Sequence, residues 1–324
     1  MRGEKERVCV TGAGGFVASW VVNLLLSKGY IVHGTVRDPD DEKNAHLKKL
    51  EKGSENLQLF KANLLDYNSL CVAIAGCSGV FHVASPVPPG SVPNPEIELV
   101  EPAVTGTLNL LKACSEMGVK RVVVVSSMQA IVMNPNWPRD KVMDEDCWSD
   151  KEYCRTSKDE YGWYSLAKTT AESKALEYAE KNGLDVVTVC PSWVIGPLLQ
   201  PTVNGSSIHM IKLLKGMYET VENRVYVIVD VRDVAEALLL AYETQEASGR
   251  YICCSHLIRL QDLIGKLRSI NPNISYPKNY IEVEEELKLS SEKLKRLGWT
   301  YRPLEDTLAD IVEYVQGAGH LNKD

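Results

Sequence analysis

The sequence has no run of apolar residues near the roughly 18 that a membrane-spanning helix needs. It has no basic excess either, since 36 Lys and Arg residues face 43 Asp and Glu residues and the net charge is −7. Nucleic-acid-binding proteins more often carry a basic face, so this balance argues against such a partner. The charged segment 1–7 leads directly into an apolar run, and we therefore expect neither a signal peptide nor binding to a membrane.

Paired spacings of the kind that bind metals are also missing among the nine cysteines. Several cysteines lie in apolar runs, which predicts a cytoplasmic protein with reduced thiols and no metal; these are Cys9, Cys190 and Cys253. Cys147 and Cys154 flank the insert before a predicted helix, and an oxidation-sensitive disulfide between them stays an open alternative. The remaining composition, 44% hydrophobic and 24% charged, is that of a globular protein with one large domain and an added lobe, or with two domains.

A glycine-rich turn lies between the first apolar run, residues 8–10, and an amphipathic run, which predicts a strand, a tight loop and a helix. Gly12 lets the chain turn sharply, Gly15 lets the backbone approach a pyrophosphate, and Ala18 lets the helix pack closely on the strand. The N–H groups at the helix start would bind the phosphates. The alternative is a purely structural turn. The predicted dinucleotide-binding residues of this turn are Thr11, Gly12, Gly14, Gly15, Phe16 and Val17.

The predicted second strand, residues 30–36, ends without the acidic residue that an NAD enzyme uses to bind the ribose 2′-hydroxyl. Arg37 follows instead and suits a 2′-phosphate, with Lys43 as an assisting cation. This pattern predicts NADP(H) as the cofactor. The alternative is that Arg37 is a solvated turn residue.

Apolar runs at 57–62, 79–84, 121–125 and 185–190 alternate with predicted helices such as 96–117 and 163–182. This alternation predicts an α/β fold, a Rossmann doubly wound parallel sheet covered by helices on both faces. Residues 5–190 with about 225–250 would form the NADP-binding domain, and 191–224 with 251–324 a smaller C-terminal α/β substrate lobe. The strand ends would line the cofactor with Asn63, Leu64, Val83, Ala84, Ser85, Ser126, Pro191 and Val194.

Tyr164 and Lys168 share one face of the predicted helix 163–182. A tyrosine phenol is a poor acid near neutrality, and a neighbouring ammonium beside an oxidised nicotinamide makes it a better one. Ser127, at the end of the predicted strand 121–125, can donate a hydrogen bond to the same substrate oxygen. The trio predicts hydride transfer to or from a carbonyl carbon, with Tyr164 as acid and Ser127 holding the oxygen. Tyr164 and Lys168 would also contact the cofactor, Lys168 at the nicotinamide ribose.

Together these motifs resemble the extended short-chain dehydrogenase/reductases along essentially the whole chain. The resemblance is to the plant branch with cinnamoyl-CoA reductases, short-chain cinnamyl-alcohol dehydrogenases, phenylacetaldehyde reductases and dihydroflavonol reductases. It rests on segments 11–18, 35–39, 81–86, 125–127, 164–168, 196–197 and 230–234. It implies an NADP(H)-dependent oxidoreductase with Ser127, Tyr164 and Lys168 as catalytic residues.

The segment around Tyr164 separates the substrates that this resemblance implies. Cinnamoyl-CoA reductases typically have Asn-Trp-Tyr-Cys-Tyr-Gly-Lys, whereas residues 162–168 read Gly-Trp-Tyr-Ser-Leu-Ala-Lys here. The departure favours a phenylpropanoid aldehyde reduced to its alcohol, as in lignin metabolism. Reduction of a hydroxycinnamoyl-CoA thioester is the alternative. A catalytically inactive NADP-binding regulatory protein is a further alternative, against which the intact catalytic trio argues.

Three cations match the family's cluster for the CoA phosphate, namely His209, Lys212 and Arg250; the resemblance implies that they converge, and a solvated helix face is the alternative. Val132 replaces the asparagine with which dihydroflavonol reductases bind the flavonoid ring, which disfavours a flavonoid. The apolar candidates for an aromatic substrate pocket are Pro86, Met128, Val132, Trp163 and Trp193. The sequence leaves the oligomeric state open.

Overall fold

A computed structural model of the protein describes residues 5–86, 93–138, 140–158, 161–274, 276–284 and 287–319. The strands are, in chain order, β1 (Arg7–Val10), β2 (Ile31–Val36), β3 (Leu57–Lys61), β4 (Gly79–His82), β5 (Arg121–Val125), β6 (Asp185–Pro191), β7 (Trp193–Ile195), β8 (Thr220–Glu222), β9 (Val225–Asp230), β10 (Gly249–Cys253), β11 (His256–Arg259) and β12 (Asn279–Ile281). The α-helices are α1 (Phe16–Ser27), α2 (Ala45–Lys48), α3 (Gly53–Asn56), α4 (Tyr67–Ile74), α5 (Glu101–Glu116), α6 (Lys151–Thr156), α7 (Gly162–Asn182), α8 (Gly205–Leu214), α9 (Val231–Glu243), α10 (Leu260–Ile270), α11 (Glu292–Arg296) and α12 (Leu304–Gly317).

In the described part of the chain, the main sheet has seven strands in the order β10-β6-β5-β4-β1-β2-β3. Every neighbouring pair is parallel. The chain runs from β1 towards β3 on one side and then returns to β4 on the other side of β1. In open α/β sheets this reversal creates a crevice outside the carboxyl ends of the strands, where ligands bind. The predicted doubly wound Rossmann fold is confirmed.

Helices cover both faces of the main sheet because its strands are apolar on both sides. In β5, Val123 packs in the cluster with α1 and α9, whereas Val122 and Val124 pack in the cluster with α4 and α5. Successive side chains of a strand point to opposite faces, so one valine run serves two cores. Each fully buried Val or Leu contributes about 1.5–3 kcal/mol relative to an exposed one.

The described residues also form a second, smaller sheet. It has the order β11-β9-β7, with β9 parallel to β7 and antiparallel to β11, and β8 pairs with β12 beside it. Helices α8, α10 and α12 pack here around Met210, Leu263 and Leu308. The expected division placed 225–250 in the NADP-binding domain. In the structure, β9 pairs with β7 in the second sheet, while α9 packs on the main sheet and β10 extends the main sheet to Cys253.

Two helix ends show how local sequence sets the boundaries. The helix predicted over 96–117 begins with a π-helical turn, Glu96–Val100, before α5, and Pro102 lies in the first turn of α5, where its missing N–H costs least. The helix α1 ends at Ser27, and Gly29 has φ +92°, the left-handed conformation that turns the chain into β2. Across the described ranges, no helix has both the length and the apolar character needed to span a bilayer.

Candidate active site

The glycine-rich loop lies between the carboxyl ends of β2 and β4. The Thr11 N–H donates to the Phe81 carbonyl oxygen (3.0 Å), and the Ala13 N–H donates to the Thr35 carbonyl oxygen (2.9 Å). Gly12 has φ +66°, and a Cβ there would lie 3.1 Å from the Cβ of Ala84. The loop therefore fills the switch point of the sheet and has no room for a side chain at this turn.

The start of α1 forms a cradle for an anion. Gly15 precedes the helix, and no described side chain caps its N–H groups. A Cβ at Gly15 would lie 3.2 Å from the Gly12 carbonyl oxygen, so the bare backbone closes the turn. Phe16 itself is buried against Leu198 and Val231, so it offers its backbone rather than its ring. Uncapped helix N–H groups and a positive dipole end fit the pyrophosphate of a dinucleotide.

Asn44, which the sequence analysis missed, sets the path of the loop after β2. A Cβ at Gly14 would clash with the Asn44 Oδ1, and the Asn44 Nδ2 donates to the Asp38 carbonyl oxygen (2.8 Å). Arg37 is exposed and has no hydrogen-bond or ion-pair partner among the described residues, whereas the ammonium of Lys43 lies 2.5 Å from the Asp41 carboxylate. The geometry leaves the Arg37 guanidinium available to a ligand and commits Lys43 to a surface ion pair.

The adenine end of the predicted site is a tight turn after β3. The Asn63 side-chain oxygen accepts from the Leu65 N–H (3.0 Å), and the Leu64 carbonyl oxygen accepts from the Asn109 side chain (3.0 Å). Asn63 is exposed and Leu64 half-buried. These contacts fix the turn and use one acceptor of the Asn63 amide.

Thr11 holds the end of β4. Its hydroxyl oxygen accepts from the Val83 N–H (3.1 Å) and the Ala84 N–H (3.0 Å) and lies 3.0 Å from Nδ1 of His82. Because the oxygen already accepts two N–H groups, its own proton goes to Nδ1 of His82. The predicted cofactor-lining residues Val83 and Ala84 are thus fixed against the glycine-rich loop.

His82 continues this network into the interior. Its Nε2 lies 3.2 Å from the Thr107 hydroxyl, which donates to the Ala103 carbonyl oxygen (2.8 Å), so Nε2 carries the proton. Burial, together with the positive charge of Lys168, lowers the pKa of His82 to about 3. His82 is therefore a neutral link between β4 and α5. Segment 81–86, which contributes to the family resemblance, contains His82, but its spacing did not indicate this buried link.

The three predicted catalytic residues lie at the carboxyl end of β5 and the first two turns of α7. The Ser127 hydroxyl accepts from the Gln129 N–H (3.2 Å) and is half-buried, as is Tyr164. The ammonium of Lys168 donates to the Val125 carbonyl oxygen (3.3 Å) and lies 5.9 Å from the centroid of the Tyr164 ring. The helix that carries the phenol is thus bonded to the strand that leads to the serine.

Gln129 provides a second link between these elements. Its side-chain oxygen accepts from the Ser165 hydroxyl (2.9 Å), while its N–H donates to Ser127. One end of this link is Ser127 itself, and the other end is Ser165, which is next to Tyr164. Sequence reasoning missed Gln129, because nothing in the local pattern distinguishes it from a loop residue.

Ser126 was expected to contact the cofactor, but its side chain points into the interior. It is buried, and its hydroxyl donates to the Glu172 carboxylate (2.7 Å). Glu172 lies one turn after Lys168, and both line a small cavity together with His82 and Ser85. The helical spacing from Lys168 was a signal that could have found Glu172. At the next strand end, Pro191 is buried and Val194 is half-buried.

The apolar candidates for a substrate pocket fall into separate packing groups. Met128 and Val132 pack partly on the cluster around Ile131, and Trp163 packs on the cluster around Leu99. The Trp193 ring packs at a tilt against the rings of His209 and Tyr226, whose centroids lie 5.4 and 5.0 Å away. Pro86 is half-buried and is the last described residue before residue 93.

The expected cluster of three cations does not form. His209 lies between two phenols, with Nε2 3.1 Å from the Tyr226 hydroxyl and Nδ1 3.3 Å from the Tyr218 hydroxyl. Lys212 is exposed on α8. Arg250 is buried in β10 and pairs with Glu172, because β10 adds to the main sheet and directs this side chain inward. The prediction that Arg250 converges with the other two on a phosphate is wrong.

The suggested disulfide is also absent from the described structure. Cys147 and Cys154 are both free thiols, and they pack in different clusters, around Ile131 and around Leu99 respectively. Burial raises the pKa of each thiol to about 11. Within the described residues, no group of three or more His, Cys, Asp or Glu side chains could hold a metal ion.

Comparison with known proteins identifies a matching family, similar sequences and similar structures. Residues 8–254 match the NAD dependent epimerase/dehydratase family. Cinnamoyl-CoA reductase 1 of Petunia hybrida is 48% identical over 318 residues, which cover 97% of this chain and 93% of that protein. Vestitone reductase from alfalfa (Medicago sativa L.) has a TM-score of 0.84 and 32% identity, over 98% of this chain and 100% of that one. Yeast methylglyoxal/isovaleraldehyde reductase Gre2, complexed with NADPH, has a TM-score of 0.84 and 25% identity, over 97% and 99% of the two chains.

Proposed function

Because the chain belongs to the NAD dependent epimerase/dehydratase family, the extended short-chain dehydrogenase/reductases, we propose that it is an NADPH-dependent reductase of hydroxycinnamoyl-CoA thioesters. The relative from Petunia hybrida, named a cinnamoyl-CoA reductase and 48% identical over nearly the whole chain, carries the choice of substrate. The link between Lys168, Val125 and Tyr164 supports carbonyl reduction. The nine cysteines, all free, support a cytoplasmic location.

The residues present fit NADPH. The uncapped N–H groups at the start of α1 would hold the pyrophosphate, and the exposed Arg37 would pair with the 2′-phosphate. Lys168 would donate to the nicotinamide ribose. Bound NADPH supplies the hydride for the reaction.

The chain's own residues manage the substrate oxygen. The Ser127 hydroxyl donates a hydrogen bond to the carbonyl, and the Tyr164 phenol gives its proton to the oxygen as negative charge develops there. The ammonium of Lys168, 5.9 Å from the Tyr164 ring, stabilises the phenolate that remains. Tyr164 must then recover a proton before the next turnover.

The same three residues, Ser127, Tyr164 and Lys168, can reduce a thioester or an aldehyde, and the two substrates give different products. With a thioester, hydride and proton addition gives a hemithioacetal, and breaking its carbon–sulfur bond releases the aldehyde and the CoA thiol. With an aldehyde, the same addition gives the alcohol directly. The two substrates therefore differ in the leaving group rather than in the catalytic residues.

The sequence analysis favoured the aldehyde, and the relatives favour the thioester instead. The aldehyde preference rested on the four replaced residues of segment 162–168, namely Gly162, Ser165, Leu166 and Ala167. The structure buries all four within α7. Residues that face the interior report on packing more than on substrate, so this departure is weak evidence against a thioester.

Reduction of a phenylpropanoid aldehyde to its alcohol is the second candidate, and one observation favours it. Of the three cations expected at the CoA phosphate, Arg250 is buried against Glu172 and His209 is bonded to Tyr218 and Tyr226. Lys212 alone of the three is exposed. A substrate without a phosphate would not need the other two.

Steady-state kinetics with NADPH test the two candidates. We expect kcat/KM for feruloyl-CoA to exceed that for coniferaldehyde, with products identified by chromatography. Lys212→Ala should lower kcat/KM for feruloyl-CoA and leave kcat/KM for coniferaldehyde unchanged. Added salt should also lower kcat/KM for feruloyl-CoA only, because it screens charge beyond about 10 Å at 0.1 M. A clear preference for coniferaldehyde, with no effect of Lys212→Ala on either substrate, would replace the proposal by the second candidate.

A further inference from the structure

Arg250 and Glu172 form an ion pair inside the main domain. The Arg250 Nε lies 2.8 Å from Oε1 of Glu172, and Nη2 lies 3.3 Å from Oε2. The two side chains are 6% and 0% exposed. Burying two charges costs desolvation free energy that the attraction between them seldom exceeds, so stability is a weak reason for such a pair. The contacts that the pair makes with the surrounding segments indicate its role better.

The carboxylate end connects α7 to two strands. Glu172 accepts from the Ser126 hydroxyl (2.7 Å) at the end of β5 and from the Thr188 hydroxyl (2.6 Å) in β6. Ser126 is the residue before Ser127, and Glu172 lies one turn after Lys168. The carboxylate therefore connects Ser126, the residue before Ser127, to the helix that carries Tyr164 and Lys168.

The guanidinium end connects the segment after Ser127. Arg250 Nη2 lies 3.4 Å from the Ala130 carbonyl oxygen, and Nη1 donates to the carbonyl oxygens of Glu145 (2.9 Å) and Cys147 (2.8 Å). Its central carbon lies 3.4 Å from the centroid of the Trp148 ring. These residues belong to the insert that leads from Ser127 to α6 and α7. Five donors in a rigid plane can hold such a set, whereas a lysine cannot.

We propose that the Arg250–Glu172 pair is a positioning unit of the active site, which holds Ser127 from both sides and fixes it relative to Tyr164. Glu172 holds Ser126, and Arg250 holds Ala130, while the same pair holds α7. Neither residue contacts the reacting atoms, so both act through Ser127 and Tyr164. The inference rests on the proposed function only in that these two hydroxyls meet on a carbonyl oxygen, whichever carbonyl it is.

A matched control lies at the other end of the same strand. Arg121 begins β5, is 8% exposed, pairs with Asp185 (2.7 Å) and donates to backbone carbonyls, among them those of Ala241 and Gln245. It thus resembles Arg250 in burial and in bonding. It lies at the amino end of β5, away from Ser127, so its loss reports on stability without touching the site.

The first test compares Arg250→Lys with Arg121→Lys. Both keep the charge and lose the planar fork, so both should lower Tm. We expect Arg250→Lys to lower kcat roughly ten- to a hundredfold with little change in the KM for NADPH, because misplacement acts on the chemical step. Arg121→Lys should keep kcat within about twofold of the wild type. Equal losses of kcat in the two variants would overturn the proposal.

Two further variants separate position from folding. The double variant Arg250→Met, Glu172→Gln leaves no buried charge unpaired. Its Tm should therefore recover towards the wild-type value, while its kcat stays low. Ser126→Ala removes only the bond from Glu172 to the strand end and should lower kcat without a large change in Tm. Recovery of kcat together with Tm in the double variant would show that the pair is merely structural.

A readout without turnover keeps this test distinct from that of the proposed function. Amide hydrogen exchange of residues 126–131 should be faster in Arg250→Lys than in the wild type and unchanged in Arg121→Lys. Unchanged exchange in Arg250→Lys would overturn the positioning role even in a protein that reduces neither feruloyl-CoA nor coniferaldehyde. If the protein reduced neither substrate but exchange became faster in Arg250→Lys, the positioning role would be supported. Only the proposed substrates would then be contradicted.

Discussion

The ammonium nitrogen of Lys168 lies 5.9 Å from the centroid of the Tyr164 ring and donates to the carbonyl oxygen of Val125. One side chain thus places a positive charge near the phenol and also ties its helix to the strand that ends beside Ser127. Since Lys168 is only 8% exposed, water screens this charge weakly. This arrangement is consistent with the role of proton donor that we propose for Tyr164.

Tyr164→Phe should reduce kcat by several orders of magnitude and leave NADPH binding nearly unchanged. The ring remains and only the acidic proton is lost, so the effect belongs to the transition state. Steady-state kinetics and fluorescence titration with NADPH measure the two quantities. A variant that keeps most of its kcat would show that another group supplies the proton.

Arg37→Ala should raise the KM for NADPH about ten- to a hundredfold, since a lost charge-assisted hydrogen bond costs roughly 1.5–3 kcal/mol. The KM for NADH should hardly change, because NADH has no 2′-phosphate. Lys43→Ala serves as the control, and we expect a smaller effect because Lys43 is paired with Asp41. Equal losses with both cofactors in Arg37→Ala would contradict the assignment of Arg37.

His82 should make the folded state less stable in mild acid. Burial lowers its pKa from 6.5 to about 3, so below pH 6.5 the unfolded chain binds a proton that the folded chain does not. Stability therefore falls as the pH drops from 6.5 towards 3. From about pH 7.5 to about pH 5.5 this single group should remove about 1.4 kcal/mol.

Urea unfolding of His82→Gln at these two pH values checks this effect. The variant loses hydrogen bonds to Thr11 and Thr107 at both pH values, but its deficit relative to the wild type should shrink by that amount at the lower pH. Thr107→Val removes a partner without removing a titratable group, so its deficit should be the same at both pH values. A constant deficit in His82→Gln would show that His82 takes up its proton equally in the folded and the unfolded state.

The nine cysteines should all titrate as thiols in denaturant, with or without reductant and after mild oxidation. In the native protein the reaction should be slow, because all but Cys71 are buried and burial raises the pKa of Cys147 and Cys154 to about 11. Thiol counting and peptide mapping provide the measurement. Loss of two thiols from the peptides of Cys147 and Cys154 would restore the disulfide hypothesis.

The sequence by itself predicted the elements and residues whose signals are local. The apolar runs and the turn at Gly12 predicted β1 and α1, because a strand, a tight turn and a helix each follow from the spacing of neighbouring residues. The spacing of Tyr164 and Lys168 placed both on one face of α7 for the same reason. Alternation of strands and helices then led to the parallel sheet, since connections between neighbouring parallel strands need a crossover.

Tertiary structure alone decided which polar side chains face the site and which face the interior. Arg250 and Glu172 are 78 positions apart, and only the addition of β10 to the main sheet brings them together. The same addition of β10 removed Arg250 from the expected phosphate cluster, and a bond to Glu172 of α7 holds the Ser126 hydroxyl in the interior. Motif spacing reports a backbone position and not the direction of a side chain, because that direction depends on partners from distant parts of the chain.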